Sequence, residues 1–177
     1  MRRVVALVAI AGLAVGLAFA LRPSAGQAAV RAGRLTVSVP GGFNVYPIHA
    51  GFCRAGTEVI GQVLTDFHLP AHACIDRVLK KWVAMPGNGP PSNVVALELK
   101  VRGLGPVGYE LALPLSLHQP WPREPWANEH FASGVERYGA LRATDMDYDV
   151  MYWSGQDAPA NDRAAVLGAL RSIRPTR

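Results

Sequence analysis

Four groups of residues have types and spacing suited to chemistry. Cys53 and Cys74 are the two cysteines of the chain, an even count that favours a disulfide in an oxidising compartment. Closing a loop of 22 residues stabilises a fold by roughly 3 kcal/mol on the chain-entropy account. Two buried free thiols are the alternative, because the sequence does not fix the distance between the Cα atoms. His68 and His72 precede Cys74 in an H-x3-H-x-C arrangement with the residue types of a zinc site. Pro70 stands between the imidazoles and breaks the helical i, i+4 geometry that would put them on one face. No metal is therefore expected, and the stretch reads as a solvated junction between a loop and a helix. Asp145, Asp147 and Asp149 begin like a calcium loop. Val150 then stands where the turn glycine belongs and Gln156 where the bidentate glutamate belongs, so an EF-hand is rejected. On a strand the three carboxylates share one face, with Lys100 and Arg102 as the cations that offset them.

The fourth group is HQPWPREPW, His118 to Trp126, with three prolines and two indoles in nine residues. Proline stiffens the segment toward extended geometry and lowers the entropy cost of presenting side chains. Trp121 and Trp126, with His118 and Arg123 beside them, are the candidate ligand-binding residues, since indole faces stack on sugar rings, prolines or cations. The competing account is a cover loop whose indoles close one end of the core. Glu124 and Glu129 offer a carboxylate pair for glycoside hydrolysis, a mechanism decided by a separation that the sequence does not give. The chain has no GxSxG elbow, no SxxK, no HExxH and no phosphate-cradling glycine loop. A catalytic role is therefore the runner-up, and no cofactor is implied.

These groups must be positioned by strands and two helices. LTVSV at Leu35 to Val39 alternates strictly before Pro40, Gly41 and Gly42 end it, which predicts a short strand with one buried face. Glu58 to Phe67 puts Val59, Val63 and Phe67 on one face, and Gly61 marks a bulge or a close contact. Ile75, Val78, Leu79 and Trp82 form one helical stripe that Pro86 closes. Asn93 to Arg102 alternates again, with Val95, Leu97, Leu99 and Val101 facing in and Glu98, Lys100 and Arg102 facing out. The GLGPVG turn predicts a hairpin to a second strand around Tyr109 to Leu115. Val135 to Leu141 and Met146 to Trp153 are weaker strands. In DAPANDRAAVLGALRSI, Asp157 is the expected N-cap, Pro159 lies in the first turn, and Ala164, Leu167 and Leu170 supply the buried face. A short extended piece follows near Ile173. Strands interrupted by one helix and ended by another predict an α+β domain, an antiparallel sheet covered by two helices.

The chain's 177 residues are 50% hydrophobic and 18% charged, which excludes a mainly disordered protein. Its formal charge of +5 falls to +2 once residues 1 to 28 are set aside, because Arg2, Arg3 and Arg22 lie there without an acid. That balance gives no dense basic stripe for nucleic acid. Val4 to Leu21 is an uninterrupted apolar run of eighteen residues behind a basic start. With Gly26 and Ala28 satisfying the small-x-small rule, residues 1 to 28 are expected to be a secretory signal peptide cleaved after Ala28. The same run, at about 27 Å of helix, is just long enough for an uncleaved membrane anchor. No cysteine follows it closely, which disfavours lipidation, and Arg2 with Arg3 lacks the context of a twin-arginine signal. Both alternatives place a domain of residues 29 to 177 outside the cytoplasm.

The opening LTVSVPGGF and the closing YWSGQDAPANDRAAVLGALRSIRP resemble the PsbP-like domains, small exported bacterial and plastid proteins. In that group a hydrophobic strand runs into Pro, Gly and an aromatic residue. The last long strand leads through a small residue to a helix packed back on the sheet and then to an SIR-like strand. The resemblance implies a layered α+β sandwich and an accessory or binding role, and it carries no catalytic residues onto this chain. The function expected is that of an exported, non-catalytic cell-envelope protein that binds a partner protein or an envelope ligand. An exported hydrolase and a purely structural envelope protein are the alternatives.

Overall fold

The computed structural model describes residues 28–54, 56–84, 91–102, 110–121 and 134–176. Among the described residues, nine strands and two helices follow in the order β1 (Ala29–Ala32), β2 (Leu35–Ser38), β3 (Asn44–His49), β4 (Val59–Thr65), α1 (Ile75–Ala84), β5 (Val95–Val101), β6 (Glu110–Leu111), β7 (Gly134–Ala143), β8 (Met146–Gly155), α2 (Ala160–Ser172) and β9 (Arg174–Pro175). They form a six-stranded sheet of order β3-β4-β5-β8-β7-β6 and a three-stranded sheet of order β1-β2-β9. The class is α+β, with antiparallel pairing everywhere except between β6 and β7, which run parallel.

The alternation in β5 places its odd-numbered residues on one face. Val95, Leu97 and Leu99 lie there fully buried with Tyr148, Val150 and Tyr152 of β8. Helix α2 and the small sheet close over this face through Val166, Ala169 and Leu170 and through Ala32, Leu35 and Val37. Each valine or leucine among them contributes about 1.5–3 kcal/mol on leaving water. The opposite face holds a smaller cluster in which Val63, Ala96 and Trp153 meet Ile75 of α1, with Val78 and Leu79 partly buried beside it. Trp82, expected on the same stripe, has a side chain outside the described ones.

Two turns carry the registers. Ala32 faces Leu35 across a two-residue turn in which Gly33 has φ +56, and a Cβ there would come 2.8 Å from Val101 Cγ2. Between β7 and β8, Thr144 and Asp145 both take positive φ, 54 and 60, so two strands of ten residues turn back on themselves with a right-handed twist. Of the two alternatives for Gly61, the close contact is the one it makes, and the bulge falls on its neighbour Ile60. The ladder passes from Gly61 to Val59 opposite Ile48 and His49, leaving Ile60 bulged, and a Cβ on Gly61 would lie 2.7 Å from Leu99 O. Strand β3 is an edge strand with exposed Pro47 in its middle.

Three expectations are corrected. β5 does not form a hairpin with the strand near residue 110, because β4 and β8 occupy both of its edges; that strand is only Glu110–Leu111 and lies at the far side of the sheet, on β7. The N-cap of α2 is Pro159 with no side-chain cap, while Asp157 lies upstream and donates its N–H to Ser92 O. The buried face of that helix is Val166, Ala169 and Leu170; Leu167 is half-buried and Ala164 is exposed. Asp162 in the first turn and Arg171 in the last suit the helix dipole.

Candidate functional site

The proline-rich segment leaves β6 at buried Leu111 and is held by its own side chains. Leu115 is fully buried and Leu113 and Leu117 pack on the main core. The Ser116 hydroxyl accepts the His118 N–H at 3.1 Å. In the amide orientation that satisfies both of its atoms, Gln119 donates to Ala112 O and accepts from Ser116 N–H, each at 3.2 Å. Trp121 is half-buried against the core and donates its indole N–H to Ser116 O at 2.9 Å. The indole is thus fixed by packing at its body and by a hydrogen bond at its polar end. His118 stands exposed on this braced turn. Trp126, Arg123, Glu124 and Glu129 lie outside the described residues.

Cys53 and Cys74 are joined in a disulfide with Cα atoms 5.7 Å apart. Phe52 and Cys53 both take positive φ, 45 and 60, and the Asp76 carboxylate at the start of α1 accepts the Cys53 N–H at 3.1 Å. The bond therefore ties the β3–β4 connection to the first turn of α1. Beside it lies a cleft of about 250 Å³ lined by Tyr46, His49, His72 and the disulfide itself. His49 Nδ1 lies 3.2 Å from Thr57 O. His68 and His72 are exposed, and Cys74 has spent its sulfur on Cys53. Among the described residues, the one group of three with metal-ligand types is Cys53, Cys74 and Asp76, whose two sulfurs are already bonded to each other.

A charged network occupies the second face of the large sheet. Asp149 of β8 stands opposite Lys100 of β5; it accepts a hydrogen bond from Tyr138 OH at 2.8 Å and forms ion pairs with Arg102 Nε at 3.4 Å and Lys100 Nζ at 3.7 Å. Lys100 also reaches Glu98 at 3.4 Å. The pairing of Asp149 with Lys100 and Arg102 is the one expected from strand alternation. Asp147 shares that face, whereas Asp145 sits in the turn, so the three carboxylates are not one row. Glu98, expected to face solvent, is only 12% exposed in its side chain. Burial pushes its carboxyl above the ordinary range, Lys100 pulls it back, and Asp149 and Asp76 push it further up. The sequence signal for this was the pairing of E-L-K-V-R with D-Y-D, which names the charges but not their burial. A comparable group closes the end of β5, where the Asp66 carboxylate accepts the Val95 N–H at 3.0 Å and the Thr65 hydroxyl donates to Val95 O at 2.7 Å.

Among the described residues no helix is long and apolar enough to cross a membrane. The disulfide is a bond of oxidising, extracytoplasmic compartments. Compared with protein-family models, with curated proteins and with solved structures, the chain finds no match.

Proposed function

We propose that the chain is an exported, non-catalytic binding domain of the cell envelope, released after Ala28 or held at a membrane through residues 4 to 21. Its partner is an envelope protein or ligand received at the braced turn from Ser116 to Trp121 and the residues that follow. The observation that carries this reading is that turn: Trp121 is anchored by Ser116, so the exposed His118 beside it is offered on a pre-ordered surface at little further entropy cost. The disulfide supports the compartment, and the PsbP-like resemblance of the first and last segments agrees with an accessory role.

The test places a photo-crosslinking amino acid at position 118 of the full chain in its native envelope, with exposed Asn161 on α2 as the control position. The expected result is a discrete adduct from position 118 that weakens severalfold when Trp121→Ala loosens the turn. No adduct, or the same adducts from both positions, would overturn the proposal.

A further inference from the structure

The small sheet carries a feature that its sequence pattern does not advertise. Arg31 of β1, Thr36 of β2 and Arg174 of β9 stand directly opposite one another, so the three side chains form one row across the outer face. Alternation puts Leu35, Val37 and Ile173 inward and leaves this row outward. At a strand spacing of about 4.8 Å the two arginine Cα atoms are about 10 Å apart. The row lines a cleft of about 610 Å³ that also includes Pro175 and Thr176. The segments that build it, residues 29 to 38 and 171 to 177, contain five arginines and no acidic residue. Among the described residues, the ion pairs involve Lys100 and Arg102, and neither Arg31 nor Arg174 has a carboxylate partner. The Thr36 hydroxyl donates to Arg174 O at 3.3 Å and acts as a spacer, whereas the enclosed Thr176 hydroxyl has no hydrogen-bond partner among the described residues. Two guanidinium-bearing side chains lining one cleft, neither with a carboxylate partner among the described residues, are the arrangement a bound anion would complete.

We propose that the outer face of the β1-β2-β9 sheet is a phosphate-binding site, with Arg31 and Arg174 gripping one phosphate group from either side of Thr36. A carboxylate has one pair of oxygens and fills one guanidinium fork; a phosphate presents oxygen pairs in two directions and fills both. Two sources supply that chemistry, a phospholipid headgroup and a free phosphate or phosphomonoester. Arg31 follows the apolar run Val4 to Leu21 by ten residues, which puts a headgroup within the reach of the chain whenever that run is membrane-held.

The experiment uses the full chain in micelles of a neutral, phosphate-free detergent and follows the Nε–H resonances of Arg31 and Arg174 with the amides of Thr36 and Thr176. One arm adds inorganic phosphate and the other blends phosphatidylglycerol into the micelles, with chloride holding the ionic strength in both. Saturable shifts at these four residues are expected in at least one arm. Saturation by phosphatidylglycerol alone or by both assigns the headgroup; saturation by phosphate alone assigns a soluble ligand. Arg31→Gln and Arg174→Gln should each weaken binding by roughly tenfold, the loss of one charge-assisted contact, while Arg54→Gln changes nothing. Arg174→Lys, which keeps the charge, provides the measurement if a glutamine variant unfolds and should retain weakened binding. Shifts that stay linear in both arms, or that survive both glutamine substitutions, would overturn the site.

Discussion

Glu98 is charged at a cost set by where β5 places it. With its carboxyl pushed up by burial, the native protein holds a proton at pH values where the unfolded chain has released it. The native state then binds more protons than the unfolded one between the ordinary carboxylate pKa and the raised native value. Stability must therefore fall as pH rises through that window. Urea unfolding followed from about pH 4 to about pH 7 should show E98Q gaining on the wild type as pH rises, with Lys100 keeping Asp149 as a partner at 3.7 Å. An equal pH slope in both proteins would remove Glu98 as its source. A remaining slope of the same sign belongs to Asp66, whose carboxyl is likewise raised by burial and by Asp162 against the pull of the Val95 N–H.

The β7–β8 hairpin is the element with the most to gain from a local change. Its turn holds Thr144 and Asp145 at positive φ, which costs L-residues roughly 1–2 kcal/mol each, least for Asp and most for a β-branched side chain. T144N/D145G supplies the residues that this turn geometry favours and should raise the unfolding free energy by about 1 kcal/mol. Denaturant midpoints with an unchanged m-value would confirm it, and an unchanged midpoint would refute it. The same hairpin marks where the sequence stops being legible. Alternation in LTVSV and in Val95 to Val101 located β2 and β5, and helical spacing from Ile75 located α1, because each pattern records one face meeting a core. Pairing partners left no such record. The glycine-rich stretch after Arg102 reads as a hairpin, yet β5 takes its neighbours from residues about fifty positions later, at β8. The candidate site divides in the same way. Cys53 with Cys74, and Asp149 with Lys100 and Arg102, follow from residue type, whereas the Arg31–Thr36–Arg174 row exists only once β9 has docked beside β2.

At the scale of the molecule, the disulfide fastens α1 and the β3–β4 connection to the second face of the sheet. Replacing both cysteines, C53S/C74S, should cost about 3 kcal/mol, read as a lower thermal midpoint that the wild type approaches when reductant is added. A midpoint insensitive to both would mean that the Asp76 contact and the packing of Ile75 and Val78 hold this region alone. The large sheet ends on one side in a strand of two residues, β6, and on the other in β3. Proline has no N–H to offer, so Pro47 in the middle of β3 interrupts any regular ladder on that side. A free strand arriving there finds a missing donor where it needs one. β3 is therefore protected against self-templated stacking of one copy onto the next, the route by which exposed sheet margins seed fibres.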